Sequence, residues 1–129
     1  MVNFLWTCVT ALVFGVVASG SAEPPAVMTE ADSGHLVSLR IGQELVLNLK
    51  SNPSTGYAWV QADTETPILV VLGKPAYKPG GPSPGSGGVE SWEFGAVKRG
   101  AQTLKLEYRR PWEKNTPPAN TMVLHVTVR

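Results

Sequence analysis

HLVSLRIGQELVLNLK, residues 35 to 50, decides the fold class. Val37, Leu39 and Ile41 alternate with Ser38 and Arg40, and beyond Gly42 the residues Leu45, Leu47 and Leu49 alternate with Val46, Asn48 and Lys50. A period of two sends successive side chains to opposite faces of a strand, so each run has one apolar face to bury. The two runs read as two strands, bent or bulged near Gly42, where glycine interrupts the pattern.

The same period recurs along the chain. Tyr57-Ala58-Trp59-Val60 reads as a third strand, and Ile68-Leu69-Val70-Val71-Leu72 as a fourth, more fully apolar one. Trp92 and Phe94 share a face across Glu93 in a fifth. Leu104, Leu106 and Tyr108 alternate with Lys105 and Glu107 in a sixth, and Met122, Leu124, Val126 and Val128 with Val123, His125 and Thr127 in a seventh. No useful length of chain shows the helical period of about 3.6. About seven short strands separated by Gly, Pro, Asn and Ser predict an all-β fold, an immunoglobulin-like antiparallel β-sandwich. With no helical crossover between strands, a parallel α/β unit is excluded. Trp59 and Trp92 are expected in the core or at its edge, where large aromatics bury the most apolar area.

The chain has 129 residues, one domain by length, and its formal net charge of +1 argues against a nucleic-acid or anionic-membrane surface. Residues 1–22 carry no charged side chain and hold an apolar stretch from Phe4 to Ala18, broken by Thr7, Cys8 and Thr10. That stretch of about 15 residues is short of the roughly 20 a membrane span needs. Small residues follow, Ala18-Ser19-Gly20-Ser21-Ala22, and then Glu23-Pro24-Pro25. The segment reads as an export signal cleaved after Ala22, which sends the protein to the periplasm or out of the cell and leaves no membrane attachment. An uncleaved anchor is the alternative, because the only positive charge ahead of the apolar stretch is the amino terminus.

Residues 23–34, acidic and Pro-rich without a period, read as a flexible leader, and residues 35–129 as the folded domain. The single cysteine, Cys8, falls in the export segment, so no disulfide is expected downstream of it. Lipid attachment at Cys8 lacks the basic region and complete apolar run that should precede it. The two histidines, His35 and His125, lie in distant segments, each assigned to a strand, and do not make a metal site. No cofactor is expected.

Three loops are better furnished than strand connections need to be. In Asn52-Pro53-Ser54-Thr55-Gly56-Tyr57, Pro53 fixes its own φ, Asn52 can bond its own backbone two residues on, and Gly56 permits φ > 0. The result is a stiff turn with Ser54 and Thr55 at its tip. The second loop, Lys78 to Gly88, is too long for a hairpin, and its Gly85-Ser86-Gly87-Gly88 lets backbone approach a partner closely. The third is Arg109-Arg110-Pro111-Trp112, where Pro111 ends the pairing ladder and leaves Trp112 exposed at a loop tip. An exposed Trp beside Arg is the composition of an interface hot spot. On a sheet scaffold such loops can gather at one end into a composite surface.

Taken together, the three loops resemble those of the chagasin-type inhibitors of papain-family cysteine peptidases, marked in order by N-P-[ST]-T-G-[YF], G-x-G-G and R-P-[WF]. Here the motifs are Asn52 to Tyr57, Gly85 to Gly88, and Arg110-Pro111-Trp112. Each alone is weak, and their order within one chain carries the resemblance, which spans about residues 35 to 129. It implies a monomeric, reversible, competitive inhibitor with no catalytic residue of its own. The first loop would enter the peptidase cleft centrally, with Ser54 and Thr55 nearest the catalytic cysteine. The other two would grip the walls, with Trp112 as aromatic anchor and Arg110 beside it. Ser54 stands where many relatives have Thr, a methyl fewer, worth about 0.8 kcal/mol if buried.

Two rival readings remain. Gly81-Pro82-Ser83-Pro84-Gly85 matches the G-x-S-x-G pattern of serine hydrolases, but that motif needs a strand-to-helix elbow, and proline flanks this serine on both sides. An exported immunoglobulin-like module that binds another protein or a glycan would also use exposed Trp112. It has no need of Asn52, Pro53, Thr55 and Gly56 together.

Overall fold

The computed structural model describes residues 23–62, 67–83 and 85–129. The export segment 1–22 and Pro84 therefore lie outside the described residues. Among the described residues there are nine strands: β1 Ala26–Thr29, β2 Leu36–Leu39, β3 Glu44–Ser51, β4 Ala58–Gln61, β5 Leu69–Val71, β6 Ala76–Pro79, β7 Gly88–Ala96, β8 Gly100–Arg109 and β9 Asn120–Val128. The helical pieces among the described residues are two single 3-10 turns, Glu30–Asp32 and Pro53–Thr55.

The strands form two sheets packed face to face. One has the order β1-β3-β7-β5, with β6 also on β7; the other has the order β2-β9-β8-β4. Inward residues of both sheets alternate with outward ones and meet in a single core. Phe94, Leu45, Leu47 and Leu49 from the first sheet are fully buried with Leu104, Leu106, Met122 and Leu124 from the second. Trp59 and Trp92 are buried there too, as their strand positions predict. Among the described residues every buried apolar residue of this core lies between Val37 and Val128, so both sheets and the core between them are built from residues after Glu23.

The bend at Gly42 is where the chain changes sheet. Gly42 has φ +87°, and the Gln43 N–H donates to the Arg40 carbonyl at 2.9 Å, turning β2 in one sheet into β3 in the other. Ile41, in phase with Val37 and Leu39, is carried out of the core by this turn and is 48% exposed. The crossing also makes two parallel pairs, β1 with β3 and β2 with β9, in an otherwise antiparallel sandwich. β2, lying in the opposite sheet, does the work of the crossover that parallel neighbours require.

Three expectations are corrected. Residues 23–34 are not a flexible leader throughout: Ala26–Thr29 pair with Leu45–Asn48, and Met28 packs against the core. The following 3-10 turn is held by a capping box between Thr29 and Asp32. The eleven-residue second loop is shorter, because Lys78 and Pro79 belong to β6 and Gly88 opens β7. His35 and His125, distant in sequence, are neighbours in space, since the His125 N–H donates to the His35 carbonyl at 3.0 Å; His35 stands one residue ahead of β2. Among the described residues no three His, Cys, Asp or Glu side chains gather into a group able to hold a metal ion.

Candidate functional site

The first loop joins β3 to β4 as a 3-10 turn with Pro53 in its first position. The Thr55 N–H donates to the Asn52 carbonyl at 3.1 Å and the Gly56 N–H to the Pro53 carbonyl at 3.0 Å. Gly56 closes the turn at φ +82°, a conformation that costs a residue bearing a β-carbon. The Thr55 hydroxyl donates back to the Asn52 carbonyl at 2.6 Å. The Asn52 side chain does not bond its own backbone as the sequence suggests. Its Oδ1 accepts from the Ser54 hydroxyl at 2.6 Å and its Nδ2 donates to the Gly85 carbonyl at 3.2 Å. Pro53, Ser54 and Thr55 stand exposed at the tip.

The second loop, residues 80–87, turns β6 into β7 and is closed by the Gly80 N–H donating to the Gly87 carbonyl at 2.8 Å. Gly85 and Ser86 are exposed, and Gly87 turns at φ +71° close to Ser51 and Asn52 of the first loop's stem. Gly88 plays an internal part. A β-carbon there would run into the Lys78 carbonyl and the Tyr77 hydroxyl, so its missing side chain lets β6 lie on β7. Ser83 precedes a strand, not a helix, so no nucleophile elbow forms.

The third loop leaves β8 after Arg109. Pro111 and Trp112 are exposed, Trp112 to 66%. The edge of the indole nevertheless lies against Gly56 of the first loop. Arg110 turns inward: its Nε donates to the Thr55 carbonyl at 3.2 Å, and its guanidinium sits 4.6 Å from the centre of the Tyr57 ring. Glu113 Oε1 holds the far side of that guanidinium at 3.2 Å. Arg110 thus fastens the third loop to the first.

Beneath the loops runs an aromatic stack. Tyr57 lies on Tyr108 with ring centres 5.2 Å apart, and Tyr108 on Trp59 at 5.1 Å. The Tyr108 hydroxyl accepts from the Asn52 N–H at 2.9 Å, and Trp59 Nε1 donates to the Lys50 carbonyl at 3.0 Å. Tyr108 is the residue that the sequence reading missed as part of the site. A hydroxyl on the last inward position of a strand running into a motif loop was the available signal.

All thirteen sequence-predicted residues are therefore placed. Asn52 to Tyr57, Gly85 to Gly87 and Arg110 to Trp112 come together at one end of the sandwich, with the first loop between the other two, while Gly88 lies at the root of β7. The first loop itself carries no charge. The Ser54 hydroxyl faces an amide oxygen, not an imidazole, so the site holds no nucleophile and base pair. What the arrangement offers is a rigid, uncharged wedge flanked by an exposed indole and a glycine-rich ridge.

The model of the family described as chagasin family peptidase inhibitor I42 matches residues 38–126. Amoebiasin-2 of Entamoeba histolytica is 28% identical over 109 residues, covering 80% of this chain and 85% of that protein. Chagasin of Trypanosoma cruzi is 26% identical over 89 residues, 66% of this chain and 81% of chagasin. The crystal structure of EhICP2, a cysteine protease inhibitor from Entamoeba histolytica, matches with a TM-score of 0.70 at 25% identity, over 82% of this chain and 96% of that one. The structure of PbICP-C in complex with falcipain-2 shares the fold, with a TM-score of 0.52 at 23% identity over 84% and 93% of the two chains. The family match runs from β2 to β9 and takes in all three loops, and the chain belongs to the chagasin family of peptidase inhibitors, proteins that block peptidases and are not themselves enzymes.

Proposed function

We propose that the three loops at this end enter the active-site cleft of a papain-family cysteine peptidase and occlude it reversibly and competitively. The observation that supports this most directly is the fastening of both outer loops to the central one, Asn52 Nδ2 to the Gly85 carbonyl and Arg110 Nε to the Thr55 carbonyl. A surface assembled before the encounter loses little ordering entropy on binding, so a standard interface of about 800 Å² per partner can be tight. The tip of a 3-10 turn does not hold a peptide bond in attack geometry, which lets the wedge occupy a cleft without being cut. In this reading Ser54 and Thr55 approach the catalytic cysteine. Pro53 and Gly56 hold their turn, Gly85 to Gly87 meet one wall, and Trp112 meets the other with Pro111 setting its direction.

The protein acts as an exported monomer, periplasmic or secreted, without metal or cofactor. The uncharged, apolar residues 1–22 support export. The test is to titrate residues 23–129 into papain and several cathepsin-like enzymes while following hydrolysis of a small substrate. Competitive inhibition at sub-micromolar protein is expected. Absence of inhibition at micromolar protein across the panel overturns the reading and favours a module that presents the same loops to another protein or a glycan.

A further inference from the structure

The pole opposite the loops carries a row of three arginines built by strand register. In the second sheet Leu39 pairs with Val128, and Val128 with Gly100. One residue further along each strand stand Arg40, Arg129 and Arg99. The backbone ties Arg129 to the end of β2, with the Arg129 N–H donating to the Leu39 carbonyl at 2.9 Å and the Ile41 N–H to the Arg129 carbonyl at 3.0 Å. Neighbouring strands lie about 4.8 Å apart, so the backbone positions of the three arginines stand side by side at that order of spacing. All three line one shallow depression of about 640 Å³, with Ser38, Gln43 and Glu23. Lys98 is exposed next to Arg99.

Like charges gathered at one pole repel, and the structure supplies one side-chain counter-charge among the described residues. Glu23 Oε1 lies 3.4 Å from Arg40 Nε, with both side chains largely exposed. Arg99 and Arg129 have no ion-pair partner among the described residues. The net charge of +1, averaged over the chain, hides this pole. Glu23 is also the first described residue and follows the apolar residues 1–22 in sequence. β8 runs from this pole to the third loop, and its ten residues span about 30 Å.

We propose that the Arg40, Arg129 and Arg99 row is a docking surface for anionic phospholipid headgroups, holding the protein on a membrane with its three loops turned away. Phosphodiester oxygens match the guanidinium fork, and a row of three meets a plane of headgroups better than it meets one small anion. Each arginine near an anionic membrane surface contributes about a fivefold gain in affinity. Glu23 occupies part of the row and weakens it.

The test is sedimentation of residues 23–129 with vesicles of equal phosphatidylglycerol and phosphatidylcholine, beside vesicles of phosphatidylcholine alone, at low ionic strength. The protein is expected to pellet with the anionic vesicles only and to be released by salt, as screening requires. The double variant Arg99→Ser/Arg129→Ser should bind roughly twenty-five-fold more weakly, with unchanged thermal unfolding and unchanged peptidase inhibition. Glu23→Gln should bind more tightly. Equal binding to both vesicles, binding to neither, or wild-type binding by the double variant overturns the proposal. So does release by inorganic phosphate at fixed ionic strength, which would mark a site for a single small anion.

Discussion

The indole of Trp112 rests on the one residue of the first loop that has no side chain. A β-carbon built on Gly56 falls 2.5 Å from Trp112 Cη2, so the third loop's aromatic is seated in the space that glycine leaves. The same glycine turns at φ +82°. One atom therefore serves the turn and the loop-to-loop contact together. Gly56→Ala meets both demands at once. The left-handed conformation costs Ala about 1 to 2 kcal/mol, and Trp112 must swing away. We expect unfolding free energy to fall by about that amount in urea titration and inhibition to weaken at least tenfold. Wild-type inhibition by this variant would mean that Trp112 is free of Gly56 in the complex.

Trp112→Ala separates the two effects. Because the side chain is 66% exposed, its removal leaves the core intact and the melting temperature nearly unchanged. As the aromatic anchor of the interface it should cost at least tenfold in inhibition constant, about 1.4 kcal/mol. A variant that inhibits as well as wild type shows that the third loop does not touch the peptidase through this side chain.

Tyr108 fastens the stem. Its hydroxyl takes the Asn52 N–H at 2.9 Å, and its ring lies between Tyr57 and Trp59. Tyr108→Phe keeps the stack and deletes the acceptor, leaving a part-buried donor short of a partner at a cost of about 1 to 2 kcal/mol. Stability should drop by that amount, and amide exchange at Asn52 should accelerate while the β8–β9 ladder stays protected. Unchanged exchange at Asn52 would show that water replaces the tyrosine hydroxyl at no cost.

How much of this was legible in the residues follows from where each signal is stored. The period of two is local, and the paired runs around Gly42, the two buried Trp residues and the strand ending at Val128 all carry it. β6 has no such signal: Ala76 to Pro79 are exposed at every position, and pairing with β7 alone makes them a strand. β1 is masked by its Pro-rich, acidic surroundings and is a strand because β3 offers an open edge. Ile41 kept the apolar phase while the backbone had already left the sheet. The loop motifs were visible as composition, but their joints were not. Asn52 meets Gly85 and Thr55 meets Arg110 across 33 and 55 residues of chain, distances over which composition says nothing of contact. Arg110 in particular reads as a solvent-facing interface charge, and the fold spends it on holding Thr55 and Tyr57.

Asn52 is the joint between the first and second loops, and a single-atom exchange tests it. Oδ1 accepts from the Ser54 hydroxyl at 2.6 Å while Nδ2 donates to the Gly85 carbonyl at 3.2 Å. Asn52→Asp keeps the acceptor for Ser54 but turns the second oxygen against the Gly85 carbonyl, replacing an attraction with a repulsion between two acceptors. Asn52→Ala removes both bonds without the repulsion. The surface exposure of these groups limits the stability cost to about 1 kcal/mol for either variant. Their effects on inhibition should differ: Asp should loosen residues 80–87 more than Ala and inhibit more weakly, despite keeping the Ser54 bond. Amide exchange at Ser86 and the inhibition constants of both variants measure this. If Asp inhibits as well as wild type, the second loop holds its place through Gly80 and Gly87 alone, and its fastening to Asn52 is not part of what makes the surface rigid.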